Sequence, residues 1–364
     1  MFNKKTIMRV ALNNKRRKQL MKFHTFELSF LLTLFEKKHI TDILYKSKGK
    51  TYIDNNEYIP TLVCNTLTKH GITIKIKSFI KNEYKYHILN YRINPRCVME
   101  EYNYIGIFDP DDTEIMVNKV NEYLISIDEF MPLVEQCKLS RIDFCANIEM
   151  SGQHEIFEYI KILQKGYCPK KFIPELFYDY TAKRSKFFKN SCSFIRKNTV
   201  KVTYYNKYSQ LQQNDRCKNV DDAVNILRAE IQCDKNKVKH LSDKFGCTSV
   251  VSFLRNADMI GTYVFKKYAN IFFGDGDFYK IDEIYELIEK SRYKEKTKKM
   301  MKMLVQLSSK HGSLQKAFNK LEWDRVTRNN VIKKFNKLGV SPIAIPLRCK
   351  YDCFKNPLTL ALNS

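Results

Sequence analysis

No apolar run in this 364-residue sequence approaches the roughly twenty residues that a membrane-spanning helix needs. The nearest, FELSFLLTLF at 26–35, is too short and carries Glu27. It lies deep in the chain and no small-residue cleavage site follows it, so the N-terminal MFNKKTIMRVALNNKRRKQLMKF is not expected to be a secretory signal. Its cations suit contact with phosphate, and no membrane partner is expected. Paired cysteines are missing as well. The eleven cysteines, at 64, 97, 137, 145, 168, 192, 217, 233, 247, 349 and 353, form no CxxC pair; Cys349 and Cys353 come nearest, with no second pair nearby. Zinc-finger spacing is thereby excluded, and reduced thiols in a cytoplasmic protein are expected. No internal repeat or low-complexity tract is visible.

What is present is a core and a large positive charge. Hydrophobic residues make up 44% of the chain, enough to fill one large or two ordinary domains. Lys and Arg number 64 against 39 Asp and Glu, a formal charge of +25. Such an excess repels itself unless an anionic partner screens it, and nucleic acid is the leading candidate.

The pattern predicts an α+β protein in which an antiparallel or mixed β-sheet domain precedes an all-helical region. The expected divisions are a basic N-terminal segment at 1–57 that starts the first domain, the α+β domain proper at 58–233, helices at 234–346 and a tail at 347–364. Runs rich in β-branched and aromatic residues predict strands at 58–66, 71–79, 84–93, 139–149, 192–197, 199–207 and 225–233. Helices are predicted at 111–131, with acids in its first turn, and at 151–166, opening on Ser151 and closing on Gly166. The segment 167–191 reads as a long loop that alternates cations with aromatics. Lys170, Lys171, Lys183, Arg184 and Lys186 could contact phosphates while the rings stack on bases, or the loop could be solvated and merely anchored by its aromatics. HGSLQKAFNKLEWDRVTRNNVIKKFNKLG, at 311–339, has the form of two helices around a turn, as in a DNA-binding helix-turn-helix or an ordinary helical hairpin.

Three strands carry a chemically loaded face. Side chains alternate along a strand, so in KLSRIDFCANIEM (138–150) Ile142, Phe144, Ala146 and Ile148 share one face, and Arg141, Asp143, Asn147 and Glu149 the other. In TVKVTYYNK (199–207) Val200, Val202 and Tyr204 oppose Lys201, Thr203, Tyr205 and Lys207. In NILRAEIQC (225–233) Leu227, Ala229 and Ile231 oppose Arg228, Glu230 and Gln232. If the three pair in one sheet with their apolar faces on one core, Asp143, Tyr205 and Glu230 meet on one surface among Arg141, Lys201, Lys207 and Arg228. Asp143, Glu230 and the amide of Asn147 would offer hard oxygen ligands to Mg²⁺ or Mn²⁺, the cations would stabilise a transferring phosphoryl group, and a tyrosine could be its acceptor. The bland alternative is a solvated sheet face with cross-strand ion pairs worth a few tenths of a kcal/mol.

SRIDFCANI, KVTYYNKYSQL and ILRAEIQCDK, in this order, with ILNYRINP upstream and LGVSPIAIP near the end, resemble the replication initiation factors of phages and plasmids. The likeness, over roughly 84–346, is greatest to rolling-circle initiators of the Rep-trans group and their phage relatives. Members carry an R-x-D-x-x-x-D strand, an R-x-Y-D-K strand and an R-x-E strand. They nick one strand of an origin through a tyrosine, keep the 5′ phosphate on it and leave a 3′ hydroxyl to prime synthesis. By position the resemblance implies Tyr205 as nucleophile, Lys207, Arg228 and Arg141 as catalytic cations, and Asp143 and Glu230 as metal ligands. It also implies origin DNA, duplex and single-stranded, as partner, and it allows a host helicase and a homodimer. A relaxase that mobilises DNA would use the same chemistry, and a non-enzymatic origin- or operator-binding module would keep only the phosphate contacts.

The sequence departs from the family at three points. Asn147 stands at the second aspartate of the first motif, with Glu149 on the same face; Thr203 and the more distant Lys201 flank the tyrosine where arginine is usual; and Asn206 replaces aspartate in YNK. The histidines, at 24, 39, 70, 87, 154, 240 and 311, form no H-x-H, so carboxylate ligation is favoured over a histidine-cluster nickase. His87 reads as a partly buried sheet residue, His154 as surface, Tyr204 as core, and Tyr279, after the GDGD turn, as structural.

Overall fold

The stretch nearest to a membrane span is broken at Thr33, its first seven residues ending a central β-strand and its last two opening a helix. The structure, a computed structural model, describes residues 21–47, 51–54, 61–181, 183–213 and 219–364; the basic residues of 1–20, positions 58–60 of the first expected strand and Cys217 lie outside them. Along the chain come β1 (Lys22–Leu32), β2 (Thr51–Asp54), β3 (Thr61–Cys64), β4 (Ile72–Lys81), β5 (Tyr84–Ile93), β6 (Lys138–Glu149), β7 (Ile173–Pro174), β8 (Leu176–Asp179), β9 (Arg184–Phe187), β10 (Ser191–Arg196), β11 (Val200–Asn206) and β12 (Ile226–Asp234). All but β8 and β9 form one sheet in the order β2-β3-β4-β5-β1-β6-β12-β11-β10-β7, antiparallel at every pair.

The α+β expectation holds, with two additions in the first fifty residues. β1 pairs with β5 on one side and β6 on the other. It is followed by the helix Leu34–Lys46, whose Thr33 and Glu36 form a capping box. A second difference concerns 167–191. Instead of one long loop it contains the edge strand β7 and a hairpin, β8–β9, whose strands pair only with each other. The helices expected at 111–131 and 151–166 run over Thr113–Ile125 and Gln153–Leu163, and the second is capped at Gly152, not Ser151.

One face of the sheet is largely apolar. Phe26 and Leu28 of β1, Ile142 and Phe144 of β6, Ile231 of β12 and Val202 of β11 are all fully buried there. Each such side chain contributes about 1.5–3 kcal/mol on leaving water. This back face is covered by Gln153–Leu163, against β10 and β11, and by Ala257–Phe273, against β1 and β6. A helix from beyond 234 therefore completes the core of the sheet.

The second helix lies close because of Gly261. A Cβ at that position would stand 2.7 Å from Phe144 Cδ1 and 3.1 Å from Met21 Cβ. Gly261→Ala should therefore lower stability by about 1–3 kcal/mol through overpacking, although alanine is the better helix former. Urea unfolding of the two proteins checks this, and a variant as stable as the parent would contradict the close approach.

The tail docks. Cys353–Phe354 pairs with Phe278–Tyr279, Pro357–Asn363 is helical, and buried Asn356 donates to the carbonyls of Gly274 and Gly276. In the GDGD turn the Asp277 carboxylate accepts from Lys355 Nζ (3.0 Å) and Asn356 N (2.8 Å), so it braces the tail, and Tyr279 lies in the strand paired with it. Leu314–Leu321 and Arg325–Leu338 are the two helices expected at 311–339, with Glu322 left-handed in the turn between them. No disulfide joins the described cysteines. No helix among the described residues is long and apolar enough to cross a membrane.

Candidate active site

The three loaded strands are neighbours, and antiparallel register turns their polar faces into rows. Asn147, Arg228 and Tyr205 are direct cross-strand partners in one row; Cys145, Glu230 and Thr203 form the next; Asp143, Gln232 and Lys201 form the third. Tyr205 of the first row, Glu230 and Thr203 of the second and the whole of the third line a cleft of about 720 Å³, as does Lys207. Strand and helix meet at its rim because Asn206 caps the short helix Lys207–Leu211, its side-chain oxygen accepting from Ser209 N at 3.0 Å. Its amide donates to Gln153 at 2.6 Å, which gives this departure from the family's aspartate a structural role.

Tyr205 Oη donates a hydrogen bond of 3.0 Å to Glu230 Oε2, diagonally across the two strands. Burial and the Glu230 charge hold the phenol well above its ordinary pKa, so it stays protonated with its proton aimed at a carboxylate. Asp143 is almost fully buried. Arg141 chelates it, Nε to Oδ1 and Nη2 to Oδ2, both at 2.8 Å, and reaches Glu27 with Nη1 at 3.1 Å. Burial and the nearby Glu230 nonetheless push the Asp143 carboxyl up to about 7, with Arg141 pulling the other way. Cys145, also on this face, is buried and pushed up to about 12, which leaves it an unreactive thiol.

Of the oxygens expected to hold a divalent ion, those of Asp143 and Asn147 already have protein partners. Asn147 Oδ1 accepts from Arg228 Nε at 2.7 Å, and its amide donates to the Ile105 carbonyl at 3.0 Å. Both Asp143 oxygens are engaged by Arg141. Glu149, on the same face of the strand by parity, is exposed at the end of β6. Among the described residues no group of three or more His, Cys, Asp or Glu side chains is arranged to hold a metal.

The expected cations divide by role. Arg228 is wholly buried and donates to Asn147 and to the Ile105 carbonyl, so it braces the floor of the cleft from beneath. Lys207 is buried and donates to Gln210 at 2.8 Å. Lys201 pairs with Glu175 at 2.8 Å. Lys170, Lys171, Lys183 and Arg184 are exposed, the last two at the tip of the β8–β9 hairpin, while Lys186 is tied to Asp179 at 2.6 Å. Tyr178 and Tyr180, at 51% and 84% exposure, stand on the same hairpin, and Phe188 and Lys189 at its root line the cleft.

Sequence reasoning missed the contribution of β1 and β5. A register shift between Phe23 and Thr25 bulges β1, so His24 and Thr25 both line the cleft. His24 Nδ1 stands 4.0 Å from Glu230 Oε2, and burial together with Arg228 holds the ring well below its usual pKa. Arg92 of β5 also lines the cleft. For His24 and Thr25 the signal was weak, because the bulge breaks the period-two alternation that reveals a strand, whereas Arg92 lay on a strand that was expected. His87 is buried and bonded to Ser78 at 2.7 Å, His154 is exposed, and Tyr204 packs against Phe273, as expected for each. No family model matches this chain, and no curated protein matches it.

Proposed function

We propose that this protein cuts one strand of DNA through Tyr205 and acts as a rolling-circle replication initiator. The observation that carries the reading is the Tyr205 hydroxyl held 3.0 Å from Glu230 in a cleft that also contains Arg92, Arg141 and Lys207. In-line attack of Oη on phosphorus forms the tyrosyl phosphate and breaks the bond to O3′. The phenol proton passes to Glu230, and the departing 3′ oxygen takes a proton from solvent. Arg92, Arg141 and Lys207 line the cleft, and their positive charge would offset the charge that grows on the phosphoryl oxygens. The resemblance brings Mg²⁺ or Mn²⁺ with it; because Asn147 and Asp143 have their oxygens engaged, no step is routed through the ion.

The test is incubation with supercoiled and single-stranded DNA carrying the sequence that flanks the gene, with Mg²⁺, Mn²⁺ or EDTA, followed by peptide mapping. A phosphotyrosyl adduct on Tyr205 is expected. Sequence-specific binding without any adduct would instead favour a non-enzymatic DNA-binding module, the reading to which the engaged oxygens of Asp143 and Asn147 lend weight. Replacing the proton acceptor gives an independent check. Glu230→Gln should slow single-turnover cleavage by about 10²–10⁴-fold without weakening DNA binding, since it removes a negative charge from the cleft. A loss of less than about tenfold would exclude Glu230 from that role.

A further inference from the structure

We infer that a second site, behind the sheet from the Tyr205 cleft, binds a phosphate group among Lys237, Lys244 and Lys267. The helix Lys235–Phe245 sets Lys237 and Lys244 two turns apart on one face. The helix Ala257–Phe273 sets Lys267 one turn beyond Tyr263 and next to Tyr268. Between the two helices cations and rings alternate. Lys244 Nζ lies 4.3 Å from the centroid of the Tyr263 ring, Lys267 Nζ lies 6.0 Å from that ring and 5.9 Å from Tyr268, and Lys237 Nζ lies 5.7 Å from Tyr268. The first helix packs on β6 and β12, and Lys237 feels the thiol of Cys233, which shares the apolar face of β12 with Ile231. The cluster therefore lies on the helical side of the sheet, and nothing in it depends on the role of Tyr205.

Among the described residues no carboxylate pairs with any of the three lysines. The acids of the two helices are Asp243, exposed and on another face from Lys244, and Asp258, in a first turn near Asp109 and Asp111. Aromatic rings attract an ammonium but carry no charge, so the three positive charges stay uncancelled. Lys237 bears most of the cost. It is only 4% exposed, it has no hydrogen bond to a protein group among the described residues, and burial together with Lys267 and Lys244 holds its ammonium below its ordinary pKa. Burial raises the Tyr263 phenol, yet the same three lysines bring it below its ordinary value. A buried ammonium without a partner is costly, and an anion rich in acceptor oxygens supplies the missing bonds and ends the mutual repulsion. A phosphate group has an oxygen for each ammonium, whereas a carboxylate has two oxygens for three. Lys244 and Lys267 are exposed, so the cluster opens to solvent and their flexible stems can close on the ligand.

The first probe is sodium phosphate at low millimolar concentration, against sodium chloride of equal ionic strength, with thermal melting of the full chain as the readout. Above the dissociation constant, each tenfold rise in phosphate should lift the melting temperature of a protein of this size by roughly 2 °C. Lys244→Gln combined with Lys267→Gln should abolish the rise, and so should Lys237→Met alone, which keeps a stem of similar length in the core. Lys239→Gln with Lys266→Gln, exposed on the same two helices but outside the cluster, should retain it. The second probe is a fluorescein-labelled DNA duplex, titrated by anisotropy across a range of salt. Each phosphodiester contact contributes about 0.9 to the slope of log K against log salt, so the Lys244, Lys267 double variant should flatten the slope by about 1.8 if the DNA backbone is the occupant. A phosphate response with an unchanged slope assigns the site to free phosphate, and a flattened slope without that response assigns it to the backbone. Equal melting shifts in the parent and all variants, together with an unchanged slope, would reflect only the exclusion of phosphate from protein surfaces and would overturn the site.

Discussion

Tyr205→Phe is expected to abolish the covalent adduct and lower strand cleavage by about 10⁴-fold or more, because loss of an enzyme's nucleophile can cost up to about 10⁶-fold. The substitution removes one oxygen, whose recorded partner is Glu230. The ring keeps its place in β11, between Ser191 and Arg228 on the flanking strands. DNA affinity should accordingly stay within about tenfold, the value of a single hydrogen bond. The neighbouring Tyr204 cannot substitute, since it faces the core and is fully buried against Phe273. Cleavage assays and filter binding on the same preparation check the two halves of the result. A variant that cleaves at the parental rate would exclude Tyr205 as the nucleophile, and one that neither cleaves nor binds would point to a lost fold.

The largest effect on stability is expected at Arg228. Its guanidinium is wholly enclosed, donating to Asn147 Oδ1 and the Ile105 carbonyl, while Nη1 has no hydrogen-bond partner among the described residues. Arg228→Met strips donors from two acceptors in a buried setting and should lower stability by about 3–5 kcal/mol. Asn147→Leu made in the same chain removes one of those stranded acceptors, and the double variant should recover part of the loss. Urea unfolding of the two single variants and the pair measures this. Additive losses would mean that the two side chains do not depend on each other. A purely catalytic Arg228 would give slow cleavage at undiminished stability, and that result would return it to the phosphate.

The strands that read clearly from sequence are those whose neighbours enforce period two. β4, β5, β6, β11 and β12 all have one side on the core and one facing the polar surface, so apolar and polar residues alternate along them. β1 did not read as a strand, because its bulge at His24 shifts the parity and its end, Phe30 to Leu32, is apolar without interruption. The hairpin β8–β9 was taken for loop because its residues are mostly exposed on both faces, which leaves no alternation to detect. The same limit applies within the site. Parity brings Asp143, Tyr205 and Glu230 to one face, but only cross-strand register sets Arg228 opposite Asn147, and only side-chain geometry turns Arg141 back onto Asp143. Spacing along the chain identifies the donors that could ligate an ion; it does not reveal which have already found a partner.

The position of β1 has a consequence for synthesis. This strand leaves the ribosome first among the described strands, yet its partners are β5, ending at Ile93, and β6, beginning at Lys138, and β6 in turn waits for β12 to arrive at Ile226–Asp234. Closing such long loops precedes any reward from the contacts they allow, which slows folding. At about 5–20 residues per second, the nascent chain carries an unpaired apolar strand for several seconds or longer before either flank can close. Tyr205 and Glu230 come together only after nearly two-thirds of the chain has been made, so a polypeptide cut short before β12 lacks the strand that carries Glu230 and cannot form their hydrogen bond.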